Sequence, residues 1–305
     1  MITLTKAELW NLITKGEVTE DPNLPKVDGR IDLRGLKLPK PAVANQRPFA
    51  QFQVRTILPS SSVRGAKLHE LDLTGSSIPS LRLFDAEIRN CVLDRCNLAD
   101  LRMWSTTVAN CGFRSTKLRG AALGGIDNGK RNMFLNVDFS DADMRETAYK
   151  SASFTHCRFR NTRLEGTNFQ GSTFQDCVFE GEVRNVLFNR SASGGEDLPP
   201  NQMLNVDFSR ATLRFVGFRG LTLDHVVFPQ DTDHFVIRDF DSALDRVLRL
   251  LSAQADEAAR KLVFFLENER KWVVPNQAQG VVNALDLREV AGDEGLERFR
   301  AALNA

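Results

Sequence analysis

The sequence has 305 residues but only one tyrosine, four histidines and a formal charge of +1, from 40 Lys and Arg against 39 Asp and Glu. That balance gives no global pull toward nucleic acid or anionic lipid, so direct nucleic-acid binding is not expected. No apolar run approaches the roughly 20 residues that cross a bilayer, so no membrane is expected either. The opening Met1-Ile-Thr-Leu-Thr-Lys-Ala-Glu8 places an acid where a secretion signal needs an apolar core, and a cytoplasmic location is expected. Five cysteines occur without a Cys-x-x-Cys or Cys–His spacing. His69, His156, His225 and His234 lie at no spacing that recurs in metal sites. Asp94, Asp100, Asp138 and Asp143 form no acid–base pair by any sequence criterion. No catalytic, cofactor-binding or metal-binding residue is assigned, no cofactor is expected, and the reading is of a protein that is not an enzyme.

What the sequence has in quantity is a period of five. From Ala66 to Leu123 every fifth residue is apolar: Leu68, Leu73, Ile78, Leu83, Ile88, Leu93, Leu98, Met103, Val108, Phe113, Leu118 and Leu123. With 42% hydrophobic residues, such a run in a fixed frame has a chance of about 3 in 100,000. The period is neither the 3.6 of a helix nor the 2.0 of a strand. A second block runs through Phe134, Phe139, Met144, Tyr149, Phe154, Phe159, Leu164, Phe169, Phe174 and Phe179, and a third through Met203, Phe208, Leu213, Phe218, Leu223 and Phe228. Val183 and Phe188, between them, keep the period in a register slipped by one residue. All five cysteines (Cys91, Cys96, Cys111, Cys157 and Cys177) stand two positions before a member of the series, in a slot shared with Ala86, Thr116, Ala142 and Ser172. That slot demands a small buried side chain, which a reduced cysteine supplies.

Ahead of the repeats, Thr5 and Glu8 form a capping box with Leu4 and Leu9 as its staple, and Trp10, Leu12 and Ile13 give the helix an apolar side. Gly16 is the expected stop. The period shows briefly at Leu33, Leu38 and Val43, is lost over 44–57, and resumes near Leu58 or Val63.

Asp141-Ala-Asp-Met-Arg145 and Arg95-Cys-Asn-Leu-Ala99 show the unit well, and across residues 63–228 the pattern resembles the pentapeptide-repeat family, with its Ala-(Asp/Asn)-Leu-x-x consensus. The resemblance implies an all-β solenoid, a right-handed quadrilateral β-helix of pentapeptide repeats over residues 31–228. An N-terminal helical cap and linker would occupy residues 1–30, and a C-terminal α-helical region residues 229–305. Four five-residue sides would make a coil of twenty, and roughly eight coils a rod near 40 Å long.

Insertions are expected near 44–57, 124–131 and 189–202. Gly124-Gly-Ile-Asp-Asn-Gly-Lys130 matches the start of a phosphate-binding loop. Arg131, however, stands where Ser or Thr should ligate magnesium, and repeats flank both sides, so a turn or bulge is the better reading. Ser-Ala-Ser-Gly-Gly-Glu-Asp-Leu-Pro-Pro within 189–202 has the composition of an exposed loop. Past Pro229, Ser242 and Asp245 are placed to open a helix, and Leu244, Leu248, Leu251, Ala255, Ala258, Leu262 and Phe265 give it a seam up to about Lys271. A break at Ser252–Ala255 would make it two helices. Shorter helices are expected at Val281–Val290 and Leu296–Leu303. A cap on the last coil is the preferred reading, because capping is obligatory for a solenoid. A homodimer surface on the same helices, with Leu250 and Phe264 on its flank, is the alternative.

The resulting functional expectation is a non-enzymatic scaffold that recognises a protein partner of unknown identity through a rigid rod and its projecting loops. The resemblance also includes a branch that protects DNA gyrase and related topoisomerases from quinolones or peptide toxins, using acidic rods shaped like a DNA duplex. A topoisomerase partner is therefore the alternative. It is disfavoured because Val63–Phe228 hold 21 basic and 19 acidic residues. Twenty-residue coils stack Cys91 under Cys111 and Cys157 under Cys177, in parallel neighbours whose geometry seldom suits a disulfide. Thiol titration of protein kept under cytosolic redox conditions, then denatured, should return all five free thiols; a disulfide in either pair would refute the slot assignment.

Overall fold

Successive side chains of a strand point to opposite faces, so apolar residues five apart can share one core only if the chain turns a corner between them. The computed structural model, which describes residues 5–16, 24–38, 62–191 and 199–305, shows that turn at the end of each short side. Strands such as Lys67–His69, Arg82–Phe84 and Glu87–Arg89 pair in parallel with the next coil at an offset of twenty, so that Leu68 faces Ile88 and Leu83 faces Met103. The result is an all-β quadrilateral solenoid with four walls. The wall holding Asp72 can be followed through nine levels: Asp32, Asp72, Val92, Gly112, Asp138, Arg158, Val178, Asp207 and Val227. At the spacing of paired strands this is a rod about 38 Å long.

The corners are made by the second residue after each inward one, which takes a left-handed backbone, as at Glu70 (φ 53°), Asp85 (φ 50°), Asn90 (φ 55°) and Asp100 (φ 58°). Asn and Asp visit this region at less cost than other side-chain-bearing residues. The corner amides stay paired, Asp85 N–H with Trp104 O at 2.9 Å and Asn90 N–H with Ala109 O at 3.0 Å.

Inside, the apolar series fills the square. From the coil of Phe134 onward, three walls carry aromatic columns and the remaining one carries Met144, Leu164, Val183 and Leu213. Ring centroids in the columns are close: Phe134–Phe154–Phe174 at 4.9 and 5.1 Å, Phe139–Phe159–Phe179 at 5.3 and 4.6 Å, Tyr149–Phe169–Phe188 at 4.4 and 5.2 Å. All five cysteines are buried free thiols, and Cys91 N–H points to Cys111 Sγ at 3.4 Å. Burial pushes the Cys96 thiol up to about 12, which leaves it unreactive.

Register changes are local. Phe169 pairs with Phe188 at nineteen positions, one short, because only four positions separate Phe179 from Val183. Gly181 permits the shortened corner: its φ is +81°, and a Cβ there would lie 2.4 Å from Asn161 Oδ1. Met133 pairs with Thr107, six positions beyond the normal offset, and Gly217 with Leu187, ten beyond. Lys37 to Ser62 spans twenty-five positions where their partners Ser77 to Arg82 span five. Val43, Leu58 and the expected insertion at 44–57 lie outside the described residues.

At the N-terminus, α1 (Lys6–Thr14) has the capping box, with Thr5 N–H bonded to Glu8 Oε2 at 2.8 Å and Glu8 N–H to Thr5 Oγ1 at 3.2 Å. Leu9, Trp10 and Ile13 are buried on the rod's core, Leu12 is half-buried, and Leu4 lies outside the described residues. A hairpin of Lys26–Val27 and Arg30–Asp32, turning on Asp28 and Gly29 in positive φ, leads into the coil, so pairing starts before residue 31.

Residues 229–305 differ from an all-helical reading. His234–Arg238 and Gln279–Asn283 form an antiparallel ribbon in which β-branched Val281 and Val282 face Val236 and Phe235; Val281 is therefore strand and not helix. Asn283 then caps α4 (Ala284–Asn304), accepting from Leu285 N–H at 2.7 Å, and Gly292 kinks that helix. The helix expected from Ser242 begins at Phe240 as α2 (Phe240–Ser252), with Asp239 as its N-cap in a left-handed conformation. It breaks, and α3 (Glu257–Arg270) restarts on Asp256, whose carboxylate accepts from Ala259 N–H at 3.0 Å. Leu244, Leu251, Leu262, Leu266, Leu287 and Phe299 form a core of their own.

The aromatic columns generate a direct test. Phe159 is 1% exposed between Phe139 and Phe179, and Phe159→Ala should destabilise the protein by about 3–5 kcal/mol in denaturant melts. An unchanged melt would mean that this side chain does not face the core.

Candidate interaction surface

The two interruptions that the structure describes at least in part sit over one wall, the one built from Lys67–His69, Glu87–Arg89, the first half of Thr107–Gly112, Met133–Leu135, Ser153–Thr155 and Thr173–Gln175. The Gly124–Arg131 stretch is no phosphate loop. Ile126–Asp127 and Lys130–Arg131 pair antiparallel about Asn128 (φ 52°) and Gly129 (φ 73°), the two-residue hairpin that an Asn-Gly pair favours. Ser105 Oγ ties it to the rod through Asp127 O at 2.7 Å. At its end, the Arg131 guanidinium reaches Thr173 Oγ1 (3.3 Å) and Pro199 O (3.4 Å), so the hairpin touches the returning end of the 189–202 interruption. Residues 192–198 of that interruption lie outside the described residues. Burial lowers the Arg131 pKa from its ordinary value.

Each interruption rejoins the coil through a buried asparagine in the small-residue slot. Asn132 Nδ2 donates to Met103 O (2.8 Å) and Leu123 O (2.9 Å), while its Oδ1 accepts from Thr106 N–H (2.9 Å). Asn201 Oδ1 accepts from Met203 N–H (3.0 Å) and Phe174 N–H (3.3 Å). Both replace backbone pairings that an extra segment interrupts. Between the loops, the outward residues Thr107, Met133, Leu135, Ser153, Thr155 and Gln175 carry no charge, and Met133 is 39% exposed.

Elsewhere several of the rod's charges pair in place. Arg114 pairs with Asp138 at 2.7 Å, Arg160 with Glu180 at 2.5 Å, Arg119 with Glu146 at 2.5 Å, and Arg210 also reaches Glu180. Asp100 is shared by Arg82 and Arg102, and Arg145 holds Asp143 below the usual carboxylate range. Asp94 accepts from Arg114 N–H at 2.9 Å. His69 and His156 face outward, near Glu87 (3.3 Å) and Asp176 (3.8 Å) of the next coil, and His225 is exposed. His234 is buried and joins cap to rod: Nδ1 donates to Asp231 Oδ1 (2.8 Å), and Nε2 accepts from Leu213 N–H (3.0 Å) and Asn283 Nδ2 (3.1 Å). Among the described residues no group of three or more His, Cys, Asp or Glu is placed to hold a metal ion. Among the described residues no helix is long and apolar enough to cross a membrane.

The helical end is locked to the rod. Asp286 accepts from Arg214 Nε (2.5 Å) and Phe215 N–H (2.6 Å), and Glu289 accepts from Arg214 (2.6 Å). Phe265 meets Phe215 edge-on, and Arg219 lies 4.5 Å over the Trp272 ring. Phe264 and Leu250 point away from this contact and are 72% and 38% exposed.

Residues 150–181 match the family model for pentapeptide repeats, in eight copies. No curated protein matches the chain in sequence. Solved structures that it resembles include the trypsin-treated form of QnrB1, a plasmid-mediated fluoroquinolone resistance protein (14% identity, covering 55% of this chain and 79% of that one, TM-score 0.29). A second is HetL, a pentapeptide repeat protein involved in heterocyst differentiation regulation in the cyanobacterium Nostoc sp. strain PCC 7120 (13% identity, 73% and 97% covered, TM-score 0.31). A third is Rfr23, a pentapeptide repeat protein of the cyanobacterium Cyanothece 51142 (18% identity, 49% and 88% covered, TM-score 0.21). Over the matched residues the coil is a solenoid of pentapeptide repeats.

Asn132 anchors the hairpin by three hydrogen bonds in a fully buried position. Asn132→Ala should cost at least about 2 kcal/mol in a denaturant melt and raise hydrogen exchange at Thr106. A neutral substitution would show that the hairpin is held by other contacts.

Proposed function

We propose that this protein is a non-enzymatic scaffold that recognises a protein partner on the wall where its two interruptions converge. The observation that carries the reading is the Arg131 contact to Thr173 and to Pro199 O. Segments far apart in the chain thereby border one uncharged strip of hydroxyl and apolar side chains. Such a strip can be dehydrated at low cost, and rigid strands beneath it remove most of the ordering entropy that binding otherwise consumes. A repeat rod filled with side chains leaves its outer walls and loops as the surface for recognition.

A topoisomerase partner recognised by duplex mimicry is the less favoured reading. Mimicry needs a repeating line of negative charge, and here acids such as Asp138, Glu180, Glu146 and Asp100 are matched by arginines on the same or adjacent coils. A homodimer through the exposed Phe264 and Leu250 is compatible with either reading, since neither side chain is used in holding the cap to the rod.

The test uses two shortened chains. Deleting residues 125–130, or 191–200, restores the twenty-residue spacing at the respective coil while leaving the inward series intact. Affinity purification from the native host with quantitative mass spectrometry should recover a partner on the full chain that both variants lose, with their melts retained. A partner held equally by all three chains would contradict the assignment of the wall. In a gyrase supercoiling assay with and without a quinolone, neither inhibition nor protection is expected, and that outcome would remove the topoisomerase reading.

A further inference from the structure

A cavity of about 120 Å³ lies where the last coils meet the cap, walled by Phe215, Val216 and Leu223 of the rod and by Leu244 and Phe265 of α2 and α3. Its size is slightly below the roughly 150 Å³ that admits benzene in an apolar protein core. Four polar side chains also line it: Glu269, Gln277, Asn283 and Asp286.

Three of the four are fully engaged. Gln277 donates to Gln279 O at 2.9 Å and accepts from Val274 N–H at 3.2 Å. Asn283 bridges His234 and the start of α4, and Asp286 holds Arg214 and Phe215 N–H. Glu269 is different. Among the described residues its carboxylate has no hydrogen bond and no ion pair. It sits in the last turn of α3, where the helix dipole is negative and disfavours an anion. Burial pushes its carboxyl up against a pull from Arg219, and the nearby Asp286 adds to the rise. Arg219 makes no ion pair with it and lies instead over the Trp272 ring.

The half-buried Glu269 carboxylate lines a cavity walled mostly by apolar groups, stands at the wrong end of a helix and has no protein donor among the described residues, so it is placed to take one from an occupant. Aromatic rings at the cavity wall favour a cation over a neutral donor. We propose that the cavity binds a small primary alkylammonium ion, its chain against the apolar wall that includes Phe215 and Phe265 and its ammonium on the Glu269 carboxylate. Because rod and cap both contribute to the wall, an occupant would also brace the cap on the last coil. This site is independent of the loop-bearing wall, which lies elsewhere on the rod.

Butylammonium and butan-1-ol are matched probes, equal in heavy atoms and different in charge. Isothermal titration of the full chain should show butylammonium binding about tenfold or more tightly than butan-1-ol, the margin expected of a charge-assisted hydrogen bond over a neutral one. Glu269→Gln should abolish that margin while leaving the alcohol's affinity within about twofold, a factor of two being only a few tenths of a kcal/mol. Equal affinity of the two probes for the natural chain, binding of neither, or an undiminished preference in Glu269→Gln would each overturn the proposal. The comparison of probes on the natural chain decides the matter even if the variant fails to fold.

Discussion

The structure depends on one constraint: the backbone hydrogen bonds between coils must continue through the corners. Each corner residue adopts a left-handed conformation that costs about 1–2 kcal/mol for an ordinary side chain. Its amide nevertheless bonds to the next coil, as Asp141 N–H does to Arg160 O at 2.8 Å and Asn161 N–H to Glu180 O at 2.8 Å. Each such bond returns about 0.5–1.5 kcal/mol net, and the inward residue beside it about 1.5–3 kcal/mol of burial. The corner is therefore sustained by its neighbours and would not persist in an isolated unit. That is why the chain needs a cover at both ends, α1 on the first coils and the ribbon with α2 to α4 on the last.

The same constraint decides where the chain can depart from the rule. An insertion must leave and re-enter at a corner without orphaning amides and carbonyls in the core. Asn132 meets that requirement with both ends of its side-chain amide and Asn201 with its Oδ1 alone, and Gly181 meets the opposite case, a missing residue, by taking a conformation with no room for a Cβ. The rod's surface follows suit. Stacking of the coils places Arg160 over Glu180 and Arg114 near Asp138, so opposite charges pair between coils at these points.

Much of this was legible in the residues, and the reasons for the rest are specific. The period of five reads directly because every member is a large side chain in a core with no alternative position. The corner slot also carries a signal, in the Asn, Asp, Ser and Gly found two places after many inward residues, but it is diffuse beside the apolar series because Glu70, Arg95 and His156 occupy the same place. The Asp28-Gly29 and Asn128-Gly129 hairpins follow a strong local rule that the repeat frame obscured. The ribbon was missed because His234–Arg238 and Gln279–Asn283 stand forty residues apart, so neither reveals itself without the other. Ser242 and Asp245 looked like a helix start, yet the chain reaches Phe240 already turned by Asp239. No sequence pattern could place Arg131 against Pro199, or leave Glu269 facing a cavity, since both depend on how coils and cap stack.

Hydrogen exchange followed residue by residue by NMR is the most direct measurement of the central claim. If the ladder runs through the corners, the amides of Asp85, Asn90, Asp141 and Asn161 will exchange as slowly as the wall amides on either side of them. Fast exchange recurring at every fifth amide would show that the corners are loops joining separate strands, and the account of what holds this rod together would be wrong.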